Sequence, residues 1–473
     1  MEQRLTFGEW LPDQPGMVGA LQDAKNVIAQ TVGYGPFPME MDYSASASEN
    51  LTAVFTGEFG ANSNIFAGGN TKLFKFDSAD LSMDDVSKVG GYTGTKPWKF
   101  TQFGKVVIAA NGAEKLQAWT LGSSTAFADL AAAAPIASYV SVVRDFVVAA
   151  NISSYPNRVQ WSDINDETDW TSGGASQSDY QDIPDGGNIV GITGGEFGLV
   201  LLDQAIVRMS YIGAPLFFQF DTISRQLGCY EAGSIAQYGP LTFFLSDDGF
   251  YLCDGQSVKP IGAEKVDRWF FEDLDPANVD KMSAAIDPVR KVVAWSYPNT
   301  RAGQSILVYN WQVQRWTYAD TTADYIASMA TSAVTVEGLD LYSASLDALD
   351  TSLDSRIWLG GKFVFSGLKG AKIVSFTGEP TTANIETGDF VAGQNSVVRL
   401  ARPQVDNGSA SVAAASRDRL DDPISFGASS AADSDNRVSL RSFGKYHRLR
   451  VTPSGTWTTI VGVDVDTVQA GRR

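Results

Sequence analysis

Histidine occurs once in the 473 residues, at His447, and cysteine only twice, at Cys229 and Cys253. One imidazole cannot build a histidine metal cluster. Any Ser–His–Asp triad would have to use His447, which lies in a basic stretch without a nucleophile elbow nearby. His447 therefore reads as a structural or interface histidine. Two cysteines are too few for a disulfide framework and read as small buried hydrophobes in neighbouring strands. No apolar run reaches the ~18 residues that a membrane span needs. The N-terminal MEQRLTFGEW has no basic region followed by an apolar core, so no secretion signal is visible and synthesis in a reducing cytoplasm is expected. Phosphate-cradling glycine loops set between a strand and a helix are missing too. Basic residues are in short supply: 36 Lys and Arg stand against 54 Asp and Glu, a formal charge of −18. A nucleic-acid wrapper would need the opposite balance. Such acidity keeps a large protein soluble, and it also suits a surface that DNA must slide past without sticking.

Turns and aromatic strands are abundant instead. The 45 Gly, 26 Phe, 16 Tyr and 11 Trp predict an all-β chain of many tight turns. Gly195–Gly255 shows the unit: GEFGLVLLDQAIVRMSYIG, then GPLTFFLSDDGFYLCDG, each an apolar run, a short turn and a second alternating run. Equivalent runs begin at Asn64, Val106, Phe146, Gly198, Leu241 and Lys291, at steps of 40–52 residues. That spacing, with several strands per unit, predicts a β-propeller of roughly six to eight blades over residues 51–378. A further strand cluster at Arg356–Phe365 would complete a blade or begin the next domain. Residues 1–50 collect turn formers and read as an extended N-terminal arm, with a short helix at Ala20–Gln30 and with Trp10, Phe37 and Met41 as contacts to a neighbouring molecule. Such an arm should be removable without unfolding the rest. Further short helices are expected at Phe127–Pro135 and Glu264–Leu274. Residues 379–473, rich in Ser, Thr, Ala, Val and Asp, read as a small C-terminal β-sandwich carrying a basic cluster that includes Arg441, Arg448 and Arg450.

Three features invite a chemical reading. Asp163–Asp169 (DINDETD) starts like a calcium loop but lacks the glycine at the sixth position and the acid at the twelfth, where Gly174 stands. It reads as an acidic surface loop. Ser246–Gly249 (SDDG) looks like the Asp-box turn of sialidase-type propellers, but its closing aromatic is missing and it occurs once. Trp161, Trp170, Trp269, Trp295, Trp311 and Trp316 suit packing between blades, with sugar stacking as the functional alternative. No catalytic, cofactor or metal site emerges, so the expected role is not enzymatic.

The arm LPDQPGMVGALQDAKNVIAQTVGYGPFP and the segments NRVQWSDINDETDW, LSDDGFYLCDGQSVKPIG and VDRWFFEDLDPANVDKMSAAIDPVRKVVAWSYP resemble tail nozzle (tail hub) proteins of short-tailed bacteriophages. So do RIWLGGKFVFSG and the ending GKYHRLRVTPSGTWTTIVGVDVDTVQAGR. Some of these are called packaged-DNA stabilisation proteins. The resemblance runs from about Leu11 to the C-terminus and implies a homo-hexameric ring below the portal and adaptor. That ring, assembled in the host bacterial cytoplasm and located in the virion tail, prolongs the DNA exit channel and carries fibres or spikes and a needle or plug. On this reading Asp163, Asp166, Glu167, Asp169, Asp182 and Asp185 help line a lumen that repels the phosphates of passing double-stranded DNA. Trp10, Phe37, Met41, Arg441, Arg448 and Arg450 then serve ring and adaptor contacts. The competing reading is a carbohydrate-binding or glycan-cleaving propeller of a tail receptor-binding protein.

Overall fold

The computed structural model describes residues 2–469, apart from 15, 16, 18, 61, 95, 302, 332–338, 341, 344, 346–352, 354–357 and 359–360. The chain is an all-β propeller. Among the described residues, six four-stranded antiparallel sheets stand as separate blades, and a seventh four-strand meander, residues 283–321, has the same order but belongs to a larger sheet. In chain order the blades span residues 53–85, 99–129, 137–182, 189–224, 236–260 and 283–321, followed by a last blade built from Tyr325–Ala330, Phe363–Lys369 and Lys372–Pro380. The first strand of each blade lines the axis, and Tyr325–Ala330 returns to Ala53–Phe59. Thr56 fastens that join: its hydroxyl donates to the Ala330 carbonyl at 3.1 Å and accepts the Ala330 N–H at 3.0 Å.

The apolar runs in the sequence are the middle strands of the blades. Phe146–Ile152, Gly198–Leu202 and Val292–Pro298 are covered by neighbouring blades on both faces and are almost wholly buried, so they need apolar residues at every position. The axial and outer strands are shorter or amphipathic, and the sequence pattern does not reveal them. Of the expected helices, Glu264–Leu274 corresponds to Asp267–Asp273. Ala20–Gln30 instead forms the strands Asp23–Lys25 and Val27–Ala29. Phe127–Pro135 holds the short strand Ala128–Asp129 and turns. Both stretches are alanine-bearing, but the sheet edges they complete outweigh that helix preference. Part of the expected cluster at Arg356–Phe365 lies outside the described residues.

The N-terminal stretch is woven through the fold. Pro38–Asp42 forms the fourth strand of the last blade, with Met41 opposite Ser375 and Glu40 opposite Phe376. A propeller whose last blade takes one strand from the opposite chain end is latched by hydrogen bonds across that join. Glu40 reinforces the latch: its carboxylate accepts the N–H groups of Thr322 at 2.7 Å and Ala323 at 3.2 Å. Asp23–Lys25 bridges two units, pairing with Asn384–Glu386 on one side and, at Lys25, with Tyr318 of the sixth blade on the other. Glu2–Thr6 pairs with Thr459–Gln469.

The C-terminal strands Phe390–Asp406, Ser409–Arg417, Val438–Ser454 and Thr459–Gln469 are antiparallel and share one apolar core through Val398, Val412, Leu449, Val451 and Val463. That core continues through Trp10, Trp295 and Trp316 into the fifth and sixth blades. Arg437–Leu440 and Tyr446–Val451, two strands by sequence pattern, fall largely within the single strand Val438–Ser454. Burial there switches from even to odd positions between Gly444 and His447. Opposite this switch the partner strand has extra residues between Val391 and Ser396. Such a bulge flips side chains between faces and hides the continuity of the strand.

Candidate functional site

The six expected lumen acids all sit on the outer side of the third blade, far from its axial strand. Asp163, Asp166, Glu167 and Asp169 lie in the connection between Tyr155–Trp161 and the outermost strand Asp179–Asp182; Asp185 follows that strand and is exposed. Several carboxylates are spent on their own loop. Asp163 accepts the Gln177 N–H at 2.7 Å, Asp169 that of Thr171 at 3.0 Å, and Asp166 both the N–H and hydroxyl of Thr168. These bonds hold Asp166 below the ordinary carboxylate range. Among the described residues no group of three or more His, Cys, Asp or Glu could hold a metal ion.

Asp182 is different in kind. Its two oxygens take Arg158 Nε and Nη2 at 2.6 and 2.9 Å, and the guanidinium lies over Tyr155 and Tyr180 at 3.8 and 3.9 Å from the ring centroids. The Arg158 hydrogen bonds hold Asp182 below its usual value. A lysine offers neither the fork nor the planar stack. Arg158→Lys is therefore expected to cost about 1 kcal/mol in urea unfolding at unchanged m.

Beside this cluster runs a groove of about 850 Å³ between the outer edges of the third and fourth blades. Asp179, Asp182 and Asp185 rim it, and Tyr180, Ile212 and Leu216 supply apolar surface. Leu216 is 69% exposed and Ile212 51%. The sequence singled out Asp182 and Asp185 but not the groove they rim, because its two walls lie on different blades.

The expected assembly contacts divide. Trp10 is in the core, its ring 5.0 Å from those of Trp269 and Tyr318, and Phe37 is buried against Phe365 and Phe376. These two anchor the chain to itself and present no surface to a partner, which corrects the sequence-based expectation. Met41 is half-buried in the latch strand. Arg448 pairs with Asp389 at 3.1 Å and Arg450 with Glu386 at 2.6 Å, so both are engaged within the chain. Arg441 is exposed, as is Phe443 at 57%.

His447 is fully buried. Its Nε2 lies 2.8 Å from the hydroxyl of Ser396, also fully buried, and among the described residues its Nδ1 has no hydrogen-bond partner. Without an acid on Nδ1 or a path to solvent, this Ser–His pair lacks the parts of a hydrolytic site. Burial lowers the histidine pKa and keeps the ring neutral. The tryptophans pack: Trp161, Trp170, Trp295 and Trp316 are buried, and Trp295 and Trp316 stack at 5.7 Å. Ser246–Gly249 is the turn between Leu241–Leu245 and Phe250–Cys253. Both cysteines are free and buried in one apolar cluster.

The axial channel is a further cavity with polar side chains. A chamber of about 550 Å³ and a smaller one of about 220 Å³ share Lys99, Phe100, Tyr139, Ala232 and Ile235 in their walls, so these residues form a waist. Lys99, on the second blade's axial strand, interacts electrostatically with Glu231, which lines the larger chamber. Enclosure pushes Lys99 below the ordinary lysine value, and Glu231 only partly offsets this. Desolvation raises Glu231, whose Oε1 accepts the Gly233 N–H at 3.1 Å.

No family model matches the chain, and no curated protein matches it. Among solved structures it is similar to the WD40 domain of Neurospora crassa Pan2 (7% identity, TM-score 0.41, covering 71% of this chain and 95% of that one). It is also similar to a chain of a mitotic checkpoint complex (9%, 0.37, 75% and 99%) and to the computationally designed protein Ika8 (11%, 0.36, 79% and 99%).

Proposed function

We propose that the chain is a structural subunit that assembles head-to-tail into a ring, the tail nozzle of a short-tailed bacteriophage. In this role it extends the DNA exit channel below the portal and adaptor, helps retain packaged DNA and anchors fibres or spikes. The sequence resemblance suggests the particular ring. The observation that supports a ring of any kind is the presence on one chain of two surfaces of opposite charge, each with exposed apolar side chains. One is the acid-rimmed apolar groove at the third and fourth blades, with Leu216 and Ile212 exposed. The other is the strand Val438–Ser454, which offers exposed Phe443 flanked by Arg441 and Lys445. Apolar patches rimmed by charge mark protein contacts. Two different surfaces that fit each other make a heterologous interface, which is what a closed ring needs.

Mass photometry of the purified chain, alone and with a candidate adaptor, tests the reading. A hexamer, or a monomer that becomes a ring on the adaptor, is the expected result. Leu216→Glu places a carboxylate in the groove and should leave a folded monomer under the same conditions. A wild-type chain that stays monomeric with and without adaptor overturns the proposal.

A further inference from the structure

We propose that the axial channel of the propeller binds a small monocarboxylate, its oxygens held at the waist by Lys99 Nζ and Tyr139 Oη. This site is distinct from the outer groove and does not depend on ring formation. Among the described residues, no carboxylate oxygen lies within 4.0 Å of Lys99 Nζ, and neither Lys99 nor the Tyr139 hydroxyl has a side-chain hydrogen-bond partner. An enclosed ammonium with no counter-charge in contact is costly, and a donor pair at a cavity is relieved by an acceptor brought from outside. Both side chains are half-buried and belong to the walls of both chambers, which places them at the channel.

The walls decide the class of ligand. Lys96 and Lys99 are outnumbered by Asp203, Glu231 and Asp280, which weighs more heavily against a dianion such as phosphate than against a monoanion. Phe55, Phe100 and Ile326 give the larger chamber an apolar side. Its volume of about 550 Å³ is within the range of small-molecule pockets. A carboxylate carrying an apolar or aromatic body satisfies both the donors and the wall.

Benzoate is the probe, with inorganic phosphate as the comparison, titrated into the full chain by calorimetry and by saturation-transfer NMR. Wild type is expected to bind benzoate with a dissociation constant below about 1 mM and to bind phosphate at least tenfold more weakly. Lys99→Met removes the unpaired charge and should melt no lower than wild type while losing benzoate at least tenfold; Tyr139→Phe should lose severalfold. If Lys99→Met fails to fold, Tyr139→Phe decides alone. The proposal is overturned by the absence of saturable benzoate binding to wild type, by unchanged affinity in the variants that fold, or by phosphate binding as tightly as benzoate.

Discussion

Deleting residues 1–42 is expected to leave a chain that does not fold. Expressed as 43–473, it should be insoluble or, if recovered, lack a cooperative thermal transition by circular dichroism. The reason is the amount of core that the segment supplies. Trp10, Leu21, Ala24, Val27 and Tyr34 belong to the largest apolar cluster, and Phe37 to the one under the last blade. Truncating a buried aromatic costs roughly 3–5 kcal/mol. Losing Trp10, Tyr34 and Phe37 together thus removes an amount comparable to the about 5–15 kcal/mol that stabilises a whole domain. Three further losses act on backbone. The last blade forfeits its latch strand and exposes an edge. The sixth blade and the C-terminal sheet lose Asp23–Lys25 between them. The helix Asp267–Asp273 has no cap of its own; Asp13 caps it, accepting the N–H groups of Arg268 and Trp269 at 3.0 and 2.9 Å. Trp10→Ala, with the segment otherwise intact, is the graded control, expected to cost 3–5 kcal/mol. A soluble 43–473 fragment with a sharp transition would show that the propeller closes without its latch.

Stability is expected to rise as the pH is lowered from 8 to 5. Asp267 is 8% exposed, and burial pushes its carboxyl up to about 7, with Asp13 and Asp248 adding repulsion and the Phe250 N–H, 3.2 Å from Oδ1, opposing. Asp23 is raised to about 6, chiefly by burial and further by Glu386, against the Tyr318 hydroxyl and Lys25. In both, the folded value lies above the unfolded 3.8, so the folded state holds protons that the unfolded state has released. Their contribution is fully present below about pH 4 and is lost as the pH rises through about 6 and then about 7. For Asp267 the difference of about three units corresponds to on the order of 4 kcal/mol. Groups held low, such as Asp182 and Asp464, act oppositely, but only once the pH falls below the ordinary carboxylate value. The two sets of carboxylates therefore separate; buried His447, held below the ordinary histidine value, opposes the rise only as the pH falls through about 6.5, and the Asp267 variant leaves that contribution unchanged. Asp267→Asn keeps an oxygen for the Phe250 N–H and cannot ionise. It should flatten most of the slope in urea midpoints between pH 5 and 8 and exceed wild type at pH 8. An unchanged slope in the variant would place the titration elsewhere.

Much of the repeat was legible because the middle strands are buried on both faces. VVIAA at Val106–Ala110 and FVVAA at Phe146–Ala150 stand out in any reading, and their spacing gives the blades. The axial strands carry no such signal. Lys99–Phe103 is half-buried at every position, because one edge faces the channel while its faces pack on neighbouring blades. That is why Lys99 could not be selected from sequence, although it belongs to the site inferred for the axis.

Composition and spacing by themselves determined an all-β chain of repeated units of several strands, acidic and built around aromatic packing. These properties follow from local alternation and from turn chemistry, which act over a few residues. Tertiary structure alone decided that the N-terminal stretch is a structural latch. Trp10 and Phe37 look like anchors for a partner until Trp269, Tyr318 and Phe365, hundreds of residues away in sequence, are seen to receive them. The groove between the third and fourth blades and the waist of the channel have the same origin. Each is assembled from residues on separate blades, and only closure of the ring brings them together.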